Sequence, residues 1–549
     1  MVNYHKNKSD SSVIWYSLND ENLEKARVQE KAIFLLIESD ALFWSKQMVQ
    51  DITTNERVIE LLNERFIPIK VDRDARPDIE RYYQKVHSLM NRQQGALPLN
   101  IFLTADLEPF YTASYIAPHA VDAQLGFEEL LQVISKKYIT DYATLRQKGQ
   151  EVLAYINPEE ESIEATKLNL NITHTILQHS QQLLDHEFGG FTKAPKFPNH
   201  STLELLLDVY ALTKEKKLLQ SVMLTLDNMG KGGFYDLENR GFYHYAKDAK
   251  WKEPYRKKTT YDNALLADLY LRVYQITSKA SYKKIALETI DFLLLTCSEQ
   301  KLFALKDEVT ICSWNALMVR TLFKAGTLDA KYRLYAIETL ESLLSNFYVD
   351  GILFHIPKSN KNHAIEAFLE DYTQLAETLI IAYQETLDES FLIMATQFSN
   401  LLIEHYYQHG KWIYSNNKFQ IRETIHDHTL PSSIASALSV LLSISSLVDV
   451  NYKKFVFKTL ELHSYTLMRQ PLSAPSLTRT MLRYLKDDMV IKANSDILLE
   501  HIGKRSQLAY PYLLFKNTED NKFMLTNSHS TLATEESFEK LINHLESMV

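Results

Sequence analysis

The sequence predicts a multidomain protein: an α/β domain, then a long all-helical toroid, then a small β-plus-helix extension. Three observations predict it. A chain of 549 residues exceeds one ordinary core. Its apolar pattern alternates between strand-like and helix-like over residues 1–150 and then holds a 3.6-residue period to Asp487. Only 13 glycines and 14 prolines are present, which favours long helices over a loop-rich β architecture.

In chain order, Asn22 to Gln29 reads as a helix and Ala32 to Ile37 as a buried strand, because its apolar run is continuous. Arg57 to Arg65 is a short amphipathic helix, Phe66 to Val71 and Leu99 to Leu103 are further strands, and Gly126 to Lys137 closes the domain as a helix. The charged stretch Asn157 to Glu164 reads as a linker. Residues 164–487 carry twelve amphipathic segments, starting near Glu164, Ser201, Leu218, Tyr261, Ser281, Ser313, Asp329, Glu370, Glu389, Ser432, Tyr452 and Pro475. Their connections alternate between tight ones (Thr277 to Ser281, Thr386 to Glu389) and long, aromatic-rich ones. The long ones are Glu187 to His200, Gly232 to Lys258, Asp350 to Glu366 and His409 to Pro431. Hairpins joined in this way fit a toroid whose long loops build the functional face. Residues 488–549 form the extension, with apolar runs Tyr512 to Phe515 and Phe523 to Leu525 and a last helix from Glu535.

A formal charge of -9 excludes nucleic acid and anionic membrane as partners, since both call for basic patches. No apolar run reaches membrane-spanning length, and the polar start carries no signal-peptide core, so a cytoplasmic protein is expected. Cys297 and Cys312 have neither metal-ligand nor redox-pair spacing, so they read as inert thiols; no metal and no cofactor are expected.

Trp15-Tyr16, the strand Ala32 to Ile37, Trp44 and Met48, Val71-Asp72-Arg73-Asp74-Ala75-Arg76-Pro77-Asp78 and Gly95 to Thr104 form one group of motifs. Gly189-Gly190-Phe191-Thr192-Lys193-Ala194-Pro195-Lys196-Phe197-Pro198 opens a second, followed by Gly232 to Asp236, Gly241 to Tyr245, Tyr261 to Ala264, Ser313 to Met318 and Leu369 to Tyr372. Together they resemble the thioredoxin-domain-containing family of spermatogenesis-associated type over nearly the whole chain. The resemblance implies a thioredoxin-like domain followed by an (α/α)6 toroid like that of six-hairpin glycosidases and sugar epimerases. It places the two redox cysteines at Leu42 and Ser45, where neither side chain can carry disulfide exchange. Pro98 falls at the fold's cis-proline. Relatives read Pro-His-Phe-Glu-Lys-Met-Leu where this chain has Pro254 to Thr260, so a histidine and a carboxylate have become Tyr255 and Lys257.

A toroid funnel binds sugars by stacking aromatic faces on the ring and bonding its hydroxyls. The aromatic candidates are Phe191, Tyr245, Trp251, Trp314 and Tyr372. The candidate catalytic groups are Asp262, Asp371, Glu370, His244 and Asp236, with Asp248 and His355 beside them. Asp262 and Asp371 also suit helix capping. Two carboxylates would serve hydrolysis and two histidines epimerisation. The expected ligand is a carbohydrate-like small molecule. The alternatives are a non-enzymatic scaffold with an unidentified protein partner and, against the missing cysteines, a thiol oxidoreductase.

Overall fold

A computed structural model describes residues 12–122, 124–157, 164–357, 364–428, 430–501, 503–504 and 510–547. Most of the expected linker, and part of the loop from Asp350 to Glu366, lie outside the described residues. The chain forms two compact units: one comprises Met1–Glu161 with Asn417–Ile421, the other Ser162–Asn416 with Arg422–Val549.

The first unit runs α1 (Asp20–Val28), β1 (Ala32–Glu38), α2 (Phe43–Thr53), α3 (Glu56–Arg65), β2 (Phe66–Asp72), α4 (Pro77–Asn91), β3 (Leu99–Leu103), β4 (Pro109–Ala113), α5 (Phe127–Thr140) and α6 (Tyr142–Leu153). The sheet order is β2-β1-β3-β4, with β1 and β2 parallel and the other pairs antiparallel. Every residue of β1 is buried, and the two-residue period sends its side chains to two cores. Phe34 and Leu36 pack with Met48 of α2, Leu62 of α3 and Leu131 of α5. Ile33, Leu35 and Ile37 pack with Leu23 of α1 and Tyr83 of α4. Phe419 joins this second cluster, its ring 5.5 Å from that of Tyr82. Leu97–Pro98 is cis, as expected at that position.

In the second unit twelve helices alternate between two layers. The inner helices are α8 (His200–Thr213), α10 (Thr260–Thr277), α12 (Cys312–Gly326), α14 (Leu369–Thr386), α16 (Ser433–Leu447) and α18 (Pro475–Lys486). The outer ones are α7 (Ile172–Leu183), α9 (Lys216–Gly230), α11 (Ala280–Leu294), α13 (Ala330–Phe347), α15 (Glu389–Tyr406) and α17 (Lys453–Arg469). Each inner helix packs on the next inner helix, and α18 returns to α8, so the ring closes. This closure defines the (α/α)6 toroid. Outer helices bury one stripe, whereas α12 and α14 are buried nearly all round.

Five of the six connections into the inner helices are long, so the long loops gather at the inner helices' N-terminal ends. They carry short strand pairs: β5 (Tyr245–Ala246) with β6 (Pro254–Tyr255), β7 (Tyr348–Val349) with β8 (Ile352–Ile356) and β9 (Ile365–Glu366), and β10 (Tyr407–Gln408) with β11 (Lys411–Trp412). After α18 come β12 (Met489–Ala493), α19 (Ser495–Leu499), β13 (Leu513–Asn517), β14 (Phe523–Thr526), β15 (Thr531–Glu535) and α20 (Phe538–Ser547). The sheet β13-β12-β14-β15 is held to the last turn of α14, where the Gln384 amide exchanges two hydrogen bonds with the Phe515 backbone.

Candidate ligand site at the N-terminal end of the helical ring

A polar belt joins all six inner helices. Arg272 of α10 pairs with Glu204 and Asp208 of α8, and Arg479 of α18 pairs with the same two carboxylates. Lys324 of α12 reaches Asp268 of α10, and Arg320 bonds Gln374 and Glu377 of α14. Gln374 donates to Ser436 of α16, and Arg483 of α18 reaches Ser439 and Ser443. The opposing Arg272 and Arg479 charges outweigh burial and hold Glu204 at about 2. The belt therefore carries fixed charges that close the ring, and ligand chemistry belongs above it, where the helices begin.

There the first turn of α8 is unusual. Four buried polar atoms have no hydrogen-bond partner: Asn199 Oδ1, His200 Nε2, Ser201 Oγ and Glu204 Oε1; Ser476 Oγ on the adjoining α18 is a fifth. Each such atom costs about 1–3 kcal/mol unless water or a ligand satisfies it. Burial holds the His200 imidazole below the usual histidine value, against the opposing pull of Asp262, Asp427 and Glu204, so it is neutral at pH 7.

His244 lies in the same region. Its Nδ1 is 2.6 Å from Asp262 Oδ2, which also accepts the Thr259 hydroxyl. A carboxylate only accepts, so Nδ1 carries the proton and Nε2 is left as the basic nitrogen. Asn263 places this histidine: its amide accepts from Phe242 N–H at 2.6 Å and donates to Phe242 O, two residues before His244. Asn315 of α12 grips Phe303 in the same way. Aromatic rings surround the imidazole, with Phe197, Tyr245 and Tyr261 centred 5.5–6.0 Å away. Tyr245 stacks on Tyr255, and Tyr261 packs on Trp314. The His244 side chain keeps 12% exposure.

A second pair, His355 with Asp371, has the same chemistry but exposures of 1% and 0%. Asp371 also accepts from the backbone N–H groups of Phe368 and Ser313, so it is the cap of α14. Glu370 beside it accepts from the Ser313 hydroxyl. Donor atoms of His355, Glu370 and Asp371 lie within 4.8 Å of one another and could hold a cation. To do so the His355 Nδ1–Asp371 contact would have to give way to the ion. Burial and the neighbouring carboxylates push the Cys312 thiol well up, and burial raises that of Cys297, which keeps both thiols protonated.

Of the residues singled out in the sequence, the structure brings His244, Asp262, Tyr245 and Trp314 into one region. The others take structural positions. Asp236 accepts from Tyr243, Lys258, Glu238 N–H and Asn239 N–H, which hold it well below the usual carboxylate value despite burial. Asp248 likewise caps its own turn. Trp251 is wholly buried core, its indole donating to Phe188 O. Tyr372 packs between Phe398 and Tyr406, and Phe191 is half-buried. The Gly-Gly-Phe signature is also structural: Lys196, wholly buried, donates to Asp185, Gly189 O and Ala249 O. A Cβ on Gly189 would stand 2.5 Å from Thr225 Cα. In the first unit Leu42 caps α2 without a side-chain bond, and the buried Ser45 hydroxyl accepts from Ser39 N–H. His200 was not among the residues singled out; the available signal was a histidine at the first position of an inner helix, just after the signature.

Fold and site define a thioredoxin-like α/β unit without redox cysteines, joined to an (α/α)6 toroid. Residues 2–157 match the family model described as Thioredox_DsbH, a protein of unknown function (DUF255). The chain is 30% identical over 296 residues to spermatogenesis-associated protein 20 of Homo sapiens, covering 52% of this chain and 38% of that protein. It is also 30% identical over 275 residues to uncharacterized protein B0495.5 of Caenorhabditis elegans, covering 49% and 37%. The match thus spans well under half of these relatives. Similar solved structures include a GH76 alpha-mannanase of Bacteroides thetaiotaomicron (13% identity, TM-score 0.43, 57% of this chain and 94% of that one). Another is cellobiose 2-epimerase of Spirochaeta thermophila (14%, TM-score 0.45, 63% and 98%). No helix among the described residues is long and apolar enough to cross a membrane.

Proposed function

We propose that the toroid binds a polyhydroxylated, carbohydrate-like small molecule at the N-terminal end of its inner helices and moves a proton on it. The observation that carries this reading is the oriented His244–Asp262 pair in an aromatic wall, with the unpartnered, neutral His200 in the same region. His244 Nε2 would serve as base, and His200 as the partner that supplies or accepts the second proton. Hydrolysis needs a carboxyl held protonated opposite a second carboxylate. Asp236 is held as an anion and Asp371 is a buried cap, so proton transfer suits the site better. The first unit, without thiols at Leu42 and Ser45, would have no dithiol activity.

A thermal-shift screen of the full chain against mono- and disaccharides tests this. A ligand at one hundred times its Kd adds about 2.7 kcal/mol to the native state. The shift should vanish in His244→Ala and His200→Ala. Silence across the panel would sink the reading. A second reading, a protein-binding scaffold, is favoured by the exposed Trp44 and Phe43 at the start of α2, with Trp44 packed on Tyr115. Loss of a captured partner on Trp44→Ala, together with a silent sugar screen, would support it.

A further inference from the structure

Resting on the toroid reading, we infer that the ligand carries an anionic group, a carboxylate or a phosphate, held by the hairpin loop beside His244. The segment Lys247 to Lys258 contains six basic residues against two acidic ones, in a chain whose net charge is -9. Its closing stretch runs beside the His244 backbone, whose N–H donates to Lys257 O at 2.8 Å. Tyr255, two residues before Lys257, forms the Tyr245 stack, so the basic residues and the aromatic wall share one element.

The buried and half-buried acids in this region are already engaged. Asp262 holds His244 and Thr259; Glu308 accepts the backbone N–H and hydroxyl of Thr260; Asp427 accepts the backbone N–H groups of Ser432 and Ser476. Within the hairpin Asp248 caps its own turn, and Glu253 is exposed. Two of the cations are not similarly engaged. Lys258 is held by Asp236, but among the described residues Arg256 and Lys257 have no carboxylate partner. Among the described residues Lys257 Nζ donates to the Lys306 carbonyl, a neutral acceptor it can exchange for an anion. Arg256 is exposed, with the fork that suits carboxylate and phosphate oxygens. A neutral sugar could form no charge-to-charge bond with either group.

The test compares neutral sugars with their charged counterparts, D-glucose, D-glucuronate and D-glucose 6-phosphate heading the panel, by calorimetry on the full chain. One anionic form should bind about tenfold or more tighter than its neutral parent, as a charge-assisted bond implies. The preference should shrink with added salt and disappear in Arg256→Gln/Lys257→Gln. Whether uronate or phosphate gains identifies the group. Equal binding of neutral and anionic forms overturns the anion assignment and leaves the polyhydroxyl reading standing. A gain that survives the double variant overturns the role of this hairpin. No binding by any form overturns both.

Discussion

Lys196→Met removes the most completely enclosed charge in the signature that defines the toroid's entry loops. The ammonium is wholly buried and makes three bonds: 2.6 Å to Asp185, 2.7 Å to Gly189 O and 2.8 Å to Ala249 O. A bond to a charged group contributes about 1.5–3 kcal/mol, but the three are not additive. Removing one partner of a fully buried pair costs about 3–5 kcal/mol, which is the upper limit here because the Asp185 side chain keeps 25% exposure. For a unit of this size that lowers Tm by up to roughly 4–6 °C. Scanning calorimetry on the full chain reads it, with the exposed Lys193→Met as control. The pH dependence supplies a second check. Burial acts to raise the Asp185 carboxyl, but the Lys196 bond and the Phe188 and Glu187 N–H groups outweigh it and hold the group below its usual value. Its contribution is therefore present above the unfolded carboxyl value and lost as pH falls through the folded one. The gap between parent and variant should narrow in strong acid. A Lys196→Met transition within about 1 °C of the Lys193→Met control would refute the reasoning.

Asp72 predicts the opposite pH trend in the first unit. Burial, then the Asp74 charge, with Glu38 and Asp40 adding to it, pushes its carboxyl up to about 7, so the folded state holds a proton that the unfolded chain has lost. Stability falls as pH rises through that window. Asp72→Asn should exceed the parent at pH 8 by roughly 1–3 kcal/mol in denaturant unfolding and match it near pH 4. Asn263→Ala removes the grip on Phe242 and should cost about 1–3 kcal/mol. It should also weaken any sugar-induced thermal shift, because His244 follows two residues later. Leu42→Cys/Ser45→Cys puts two thiols on the first turn of α2 and should form an internal disulfide, read by mass spectrometry as the loss of two hydrogens. The parent should be silent in a disulfide-reduction assay; activity there would contradict the redox reading.

The twelve helices of the toroid were legible because the outer ones pack one apolar face at a fixed period and the inner ones carry long helix-forming apolar runs, and both are local information. The strands β1 to β3 were legible for the same reason, as continuous apolar runs. Pairings set at a distance were not. Asn417–Ile421 belongs to the first unit because Phe419 fills a place among Tyr82 and Tyr83, far away in sequence. β12 immediately follows α18, yet its partner β13 lies about twenty residues on, so only the later runs of the extension stood out. Trp251 looked like a loop aromatic open to a ligand. It is core because Phe188 O accepts its indole N–H and Gly190 leaves room for its ring.

These cases share one physical reason. Motif residues such as Gly189, Lys196, Asn263 and Asp371 have every polar group engaged or every contact filled, which is what building the long loops requires. A side chain engaged in this way cannot also act on a ligand. The groups left with capacity are His244 Nε2, inside the motif Gly241 to Tyr245, and, outside the motifs, His200 Nε2, Ser476 Oγ and the charges of Arg256 and Lys257 in the altered stretch before Tyr261. Apart from His244 and Asp262, the signature residues of this chain therefore mark how the toroid is held together. Its chemistry is better sought among the buried polar atoms that the fold leaves unpartnered.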